Sequence, residues 1–283
     1  MTIPTDKPLA VPAFDYHTHH RRCGHAQGEM ADYIEAGIAL GLREIGVSDH
    51  CPFLFLPGDH PQPGTAMAAS ELPNYVAEAR QLQERFAGRI AVRVGIEADF
   101  VPGFEDVYRE TLAAHPLDYV LGSVHFVNGR HIFDRTRWAD EDATATYTAY
   151  YNLVARAAAS GMFDVMSHLT AVEAYGPPLP DALGDRLYPP VVEAVKASGC
   201  AVEVNTSGFR KMGDDDPFPN RNLLALLVAA GVPLTFGSDA HRPGEVGHAR
   251  DRVARLLAGL GLDMDAPPRP LTVRRGPLLT FAS

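Results

Sequence analysis

FDYHTHH, running from Phe14 to His20, begins apolar and ends with three histidines in four positions. An apolar run that closes on a polar cluster reads as a buried strand whose last residues reach a functional surface. His17 and His19 are two residues apart, so on a strand both rings share one face. His20 points the other way and is not expected to be a ligand. Imidazole is the commonest metal ligand near neutral pH.

The rest of the chain repeats that form. AFDYHTH (13–19) is followed by REIGVSDH (43–50), IAVRVGIEADF (90–100), YVLGSVHF (119–126), FDVMSHL (163–169), CAVEVNTS (200–207) and VPLTFGSDAH (232–241). Helical periodicity fills the gaps at 29–40, 71–87, 105–115, 140–160, 185–199, 220–230 and 245–260. Gly41, Gly88, Gly161, Gly199 and Gly231 close five of these helices, as glycine often does at a C-terminus. Strands alternating with helices predict βαβ units and a parallel sheet. Seven such units predict an α/β fold, a (β/α)7 barrel one unit short of the eight-fold form, with its active site at the C-terminal ends of the strands. Six of the seven ends carry a His, Asp or Glu; the seventh carries Asn205. Segments 51–70, 170–184 and 206–219 each follow a strand and are expected to overhang that face.

Composition sets the outer limits. The 283 residues are 46% hydrophobic and 21% charged, enough for a substantial core and read as one domain over 1–283. A net charge of -10 without a strongly basic stretch disfavours nucleic acid as a partner. Three scattered cysteines fit a reducing cytoplasm better than a disulfide framework. The opening MTIPTDKPLAVPAF lacks a charged segment followed by an apolar run, so no signal peptide is expected. No apolar run approaches the ~20 residues that span a bilayer, so no membrane partner is expected either.

A single histidine reads equally well as a surface or core residue; the joint pattern is different. Six of twelve histidines stand at strand ends: His17, His19, His50, His125, His168 and His241. His25 follows in the loop RRCGHAQG. With Glu97 and Asp239 they make nine ligand candidates, too many for one ion and suited to two or three. Such donors suit zinc, iron or manganese, and Glu97 is the natural bridging carboxylate. Clustered cations favour a phosphate ester, attacked in line by a metal-bridging hydroxide with no Ser or Cys nucleophile. Asp239 and His241 are both candidates for protonating the leaving group. Arg210 and Lys211, in NTSGFRK, are candidate phosphate contacts, or else a solvated surface pair; Arg135 and Arg137, in FDRTRW, are alternatives. Asp49 is placed to orient a ligand ring, or else to cap a turn, and Arg22, Asp134 and Asn205 are similarly placed. Phe53 and Phe55 offer an apolar wall for substrate, or a pin holding their loop to the barrel.

The ordered set HTH, GH, SDH, GIEADF, GSVHF, SHL and GSDAH resembles the polymerase and histidinol phosphatase (PHP) superfamily. The CPF segment after SDH and the NTSGFRK loop are most similar to its histidinol-phosphatase branch. The resemblance covers Asp15 to His241. It implies a distorted (β/α)7 barrel with three divalent ions on nine ligands. His17, His19, Glu97 and Asp239 would hold the first ion, Glu97, His125 and His168 the second, and His25, His50 and His241 the third. It further implies Arg210 as the phosphate contact and L-histidinol phosphate as the small-molecule substrate. Two other readings stand beside it. A PHP-type phosphodiesterase or nucleotide phosphatase would keep the metals and want a basic groove. A non-catalytic metal-binding scaffold would hydrolyse nothing.

Overall fold

The computed structural model describes residues 11–62, 64–213 and 216–262. The ends of the expected 1–283 domain, residue 63 of the 51–70 segment and residues 214–215 of the 206–219 segment lie outside them.

The seven apolar runs form parallel strands. β1 (Phe14–Asp15), β2 (Glu44–Val47) and β3 (Ala91–Val94) make one sheet in that order. β4 (Glu97–Asp99), β5 (Leu121–Ser123), β8 (Val165–Met166), β9 (Ala201–Asn205) and β10 (Leu234–Gly237) make a second, also parallel, in the order β10-β9-β8-β5-β4. A short antiparallel hairpin, β6 (Phe126–Val127) with β7 (Arg130–His131), stands apart from both. Between the sheets, Thr18 bridges Ala240 and His50 bridges Glu97. Tyr16 donates its backbone N–H to Phe236 and His19 to Ala240.

The strands differ from their sequence reading in two ways. The run 90–100 is two strands, because the chain passes from one sheet to the other at Gly95 and Ile96. A Cβ on Gly95 would overlap the Tyr119 ring, so the bend depends on glycine. The strands are also shorter than their apolar runs, because the polar ends leave the ladder. His168 and Asp239 take positive φ, 25° and 54°, which no strand accommodates. The hairpin was not anticipated, although its turn Asn128-Gly129, both at positive φ, carries a recognised hairpin signal.

The helices follow their periodicity: α1 (Met30–Ala39), α2 (Leu72–Arg85), α3 (Glu105–Ala113), α4 (Ala143–Ala159), α5 (Asp181–Ser198), α7 (Arg221–Ala229) and α8 (Arg250–Gly259). Asp142 caps α4 by accepting the Ala145 N–H, and Asn220 caps α7 through Leu223. α5 starts earlier than expected, at Asp181, whose carboxylate suits a helix N-terminus. The five helix-closing glycines all adopt φ between 69° and 81°. A further short helix, α6 (Ser207–Lys211), occupies the 206–219 segment.

Ile45, Val94, Leu121, Val165, Val202 and Phe236 contribute to one continuous buried core. Tyr119 bonds the carbonyl of Tyr16 at 2.5 Å and fills the space left by Gly46 and Gly95. All three cysteines are buried and none is in a disulfide. No helix among the described residues is long and apolar enough to cross a membrane.

Candidate metal centre

Parallel strands end on the same side, so the residues just past β1, β2, β5, β8 and β10 converge there. Glu97, at the start of β4 and 2% exposed, is the hub. Its Oε2 lies 2.9 Å from His50 Nδ1, 3.4 Å from His17 Nε2 and 3.6 Å from His19 Nε2. Its Oε1 lies 2.7 Å from His168 Nε2 and 3.7 Å from His125 Nε2. Asp239 Oδ1 lies 3.2 Å from His19 Nε2 and 3.8 Å from His17 Nε2. The His19 ring centroid is 4.3 Å from those of His50 and His241, and the His25 centroid is 4.5 Å from that of His241. Eight of the nine candidate ligands therefore bring donor atoms together, and His25 joins them by ring contacts with His241 and His50.

The donor set fits cations. His17 Nε2, His19 Nε2, Glu97 Oε2 and His168 Nδ1 are buried without a hydrogen-bond partner, which a protein rarely tolerates in a native core. Among the described residues, ligand atoms close enough to share an ion occur in His17–His19–Asp239, His17–Glu97–His168, His50–Glu97–His125, His19–His50–His241 and His19–Cys23–Asp49. These groupings overlap through Glu97 and His19, and they partition the histidines differently from the three sets implied by resemblance.

Charge within the cluster is mutually induced. Burial alone would push Glu97 up, but His50, His17 and His125 outweigh it and hold the carboxyl well below the usual range. Burial likewise opposes charge on His17, yet Glu203, Glu97 and Asp239 raise it well above the ordinary histidine value. His25 is pushed down to about 4, by burial first and then by His50 and His19.

A cavity of about 600 Å³ opens onto this cluster, lined among others by His25, His50, Phe53, His131, Phe133, Tyr175, Arg210, Lys211 and Glu245. A family model described as "PHP domain" matches residues 15–207. The chain belongs to the PHP domain family. It is 38% identical over 237 residues to a "Probable histidinol-phosphatase" of Deinococcus radiodurans, covering 82% of this chain and 88% of that one. It is 27% identical over 260 residues to a "Histidinol-phosphatase" of Bacillus subtilis, covering 83% and 96%. Its fold matches the crystal structure of histidinol phosphate phosphatase from Lactococcus lactis complexed with zinc, L-histidinol and phosphate. That match has a TM-score of 0.75 at 22% identity and covers 90% of this chain and 95% of that one.

Within this PHP domain the remaining expected residues separate. Arg210 and Lys211, on α6, reach the cavity. Arg210 Nη2 donates to the carbonyls of Ser238 and Asp239, and Lys211 Nζ is 3.4 Å from Asp239 Oδ2. Phe53 lines the cavity; Phe55 stands behind it, against Phe104 and Phe126. Arg135 lies over the Tyr175 ring, 4.0 Å from its centroid. Asp134 reaches the cavity wall while accepting from Thr136 and Arg130. Asp49 does contact a ligand ring, 3.3 Å from His19 Nδ1, and is also bonded to His20.

Three expectations are not met. Arg137 is fully buried and bonds Glu141 and backbone carbonyls, so it cannot reach a phosphate. Arg22 is turned to Glu78 and His20. Asn205 is fully buried and does not line the cavity, so it is no substrate contact; its amide donates to Glu203 Oε2 at 2.8 Å and lies 3.5 Å from the ligand ring of His17.

Sequence reasoning passed over Glu203, Asp99 and His131. Glu203 accepts from His17 Nδ1 at 2.7 Å, and Asp99 lies 3.1 Å from His125 Nδ1. Each signal was present: Glu203 is a charged residue inside the apolar AVEVN, and Asp99 lies two positions from Glu97 on the same strand face. His131, placed by the unanticipated hairpin, stacks on His125 at 5.5 Å.

Proposed function

We propose that this PHP-family chain is a metal-dependent histidinol-phosphatase, hydrolysing L-histidinol phosphate to histidinol and phosphate in histidine biosynthesis. The observation that carries the reading is the convergence of five imidazoles on the buried Glu97 carboxylate. The 38% identity to the Deinococcus relative over most of both chains supports the substrate.

In this reading three divalent cations, zinc, iron or manganese, are held by His17, His19, His25, His50, Glu97, His125, His168, Asp239 and His241. Bound there, the cations would supply charge neutralisation for a phosphoryl group and acidity to a bound water. The residues do the rest. Glu97 keeps the ligand shells together from the centre. Arg210 offers its guanidinium to the phosphate oxygens and Lys211 adds a second positive charge beside Asp239. Asp239 or His241 stands where a proton could pass to the departing alkoxide. Phe53 and Phe133 supply an apolar wall against which an imidazole ring can pack. The bridges Thr18–Ala240 and His50–Glu97 support a closed, distorted (β/α)7 barrel, and the continuous core of the described residues supports a single domain.

The test is metal content by elemental analysis, followed by phosphate release from histidinol phosphate, a nucleotide monoester and a phosphodiester. Preference for histidinol phosphate, lost with chelator and restored by added metal, is expected. Preference for either of the other two substrates would move the chain to the phosphodiesterase or nucleotide-phosphatase reading. Metal without hydrolysis would leave a scaffold. Glu97→Gln and His17→Ala are expected to abolish turnover while the circular dichroism spectrum persists.

A further inference from the structure

We infer that Glu203 is a positioning residue that fixes two metal ligands from different strands at once, His17 through its ring and His168 through its backbone. The inference rests on the metal-dependent reading above.

Glu203 stands in the middle of β9 and is 1% exposed. Its Oε1 is 2.7 Å from His17 Nδ1, past the end of β1. Its Oε2 accepts the backbone N–H of His168 at 3.2 Å, past the end of β8, and the amide of Asn205 at 2.8 Å. Both carboxylate oxygens are thus committed, and none of the bonds reaches solvent.

Two features show that the surroundings are shaped around this carboxylate. Gly237 does not have positive φ, so its backbone would accept a side chain. A Cβ there would nevertheless overlap Glu203 Oε1 and come within 2.6 Å of His17 Cβ. His168 has φ of 25°, a conformation L residues seldom hold unless their neighbours impose it. The N–H that Glu203 grips belongs to that residue.

The consequence for His17 follows from hydrogen-bond chemistry. In the neutral ring that binds a metal, a carboxylate at Nδ1 makes that nitrogen the donor, so Nε2 is left with its lone pair. His17 Nε2 is the atom that faces Glu97 and Asp239 without a hydrogen-bond partner. Asp99 and Asp49 also lie against ligand rings, His125 and His19. Asp49 Oδ1 also accepts the backbone N–H of His50 at 2.9 Å; Glu203 differs in serving its two ligands through separate oxygens. An amide at position 203 has a single acceptor oxygen, so it cannot accept from His17 and from His168 together.

The experiment compares wild type with Glu203→Gln in three measurements. Metal affinity is read by competition with a chromogenic chelator, the ligand field by the visible spectrum of the cobalt-substituted protein, and apo-protein stability by thermal unfolding. Glu203→Gln is expected to bind metal about 10- to 100-fold more weakly and to change the cobalt spectrum. kcat should fall and KM for histidinol phosphate should stay within about twofold, since Glu203 touches no substrate. A purely structural role would lower the apo-protein Tm and leave affinity and spectrum unchanged; that result overturns the inference. If Glu203→Gln does not fold, Asn205→Ala is measured instead. It keeps the carboxylate but frees its Oε2 side, and a several-fold loss of affinity with an altered cobalt spectrum is expected. Unchanged affinity and spectrum in that variant overturn the inference equally. A wild-type protein that binds no metal would defeat the metal-dependent reading itself, a result distinct from either of these.

Discussion

Arg137 and Arg210 carry the same guanidinium to different ends. Both stand in short helical segments that follow a strand, and both read from sequence as phosphate contacts. Arg210 keeps part of its surface in the cavity and spends one amino group on the Ser238 and Asp239 carbonyls. Arg137 is sealed against Glu141 and the carbonyls of Val127, Arg130 and His131. Arg210→Ala should therefore lower kcat/KM about 10- to 100-fold, the loss of a charge-assisted bond of roughly 1.5–3 kcal/mol, with little change in Tm. Arg137→Ala should do the reverse. Removing one partner of a buried ion pair costs about 3 kcal/mol, read as a lower urea midpoint, while kcat/KM measured well below the unfolding transition stays near wild type. At this scale the ligands were legible because metal chemistry restricts residue types and strands restrict spacing. The fates of Arg137 and Asn205 were not: Arg137 is enclosed by carbonyls of the unanticipated hairpin, and Asn205 is bonded to Glu203, whose other partners are distant in sequence.

Between neighbouring elements, Tyr119 shows how strands and side chains fit. Its ring fills the gap beside Gly95, its hydroxyl occupies the space beside Gly46, and it donates to the Tyr16 carbonyl across three strands. Gly46→Ala would drive a methyl group into that hydroxyl, an overpacking cost of about 1–3 kcal/mol. Tyr119→Phe alone should cost about 1 kcal/mol for the lost bond. Combined, the two should cost less than their sum by more than about 0.5 kcal/mol, because the second change relieves the first. Strict additivity in denaturant titrations would show that the contact does not exist. The sequence marked Gly46 and Gly95 only as residues within apolar runs. It could not reveal that the second glycine lets one run serve two sheets.

Across the whole molecule, two conditions should set stability. Glu173 joins the turn after β8 to α4, α5 and the start of α7, accepting from Tyr151, from Tyr188 at 3.0 Å and from Asn220 at 2.8 Å. Burial, its largest influence, raises its pKa despite those hydrogen bonds. The folded protein then keeps this proton at a pH where the unfolded chain has lost it. Stability from this group is complete below the ordinary glutamate value of about 4.3. It declines as pH rises from there through the folded pKa. Glu173→Gln removes that decline, so the Tm of the variant relative to wild type should climb with pH across this window and level off above it. A constant difference would disprove the assignment. Metal is the second condition: an ion held at 100 times its Kd adds about 2.7 kcal/mol. Chelation should therefore lower the Tm reversibly in calorimetry, and an unchanged Tm would argue against bound cations.

The sequence by itself determined the alternation of strands and helices, the glycines that close the helices and the identities of the nine candidate ligands. Those properties are local: hydrophobic period, turn chemistry and the spacing of imidazoles along a strand. Only the tertiary structure decided that the candidate ligands cluster around Glu97 and that Glu203 and Asp99 stand behind the ligand rings. It alone turned Arg137 inward. The first two outcomes rest on contacts between segments as far apart as His17 and Asp239, and the burial that selects them exists only once the sheets have formed.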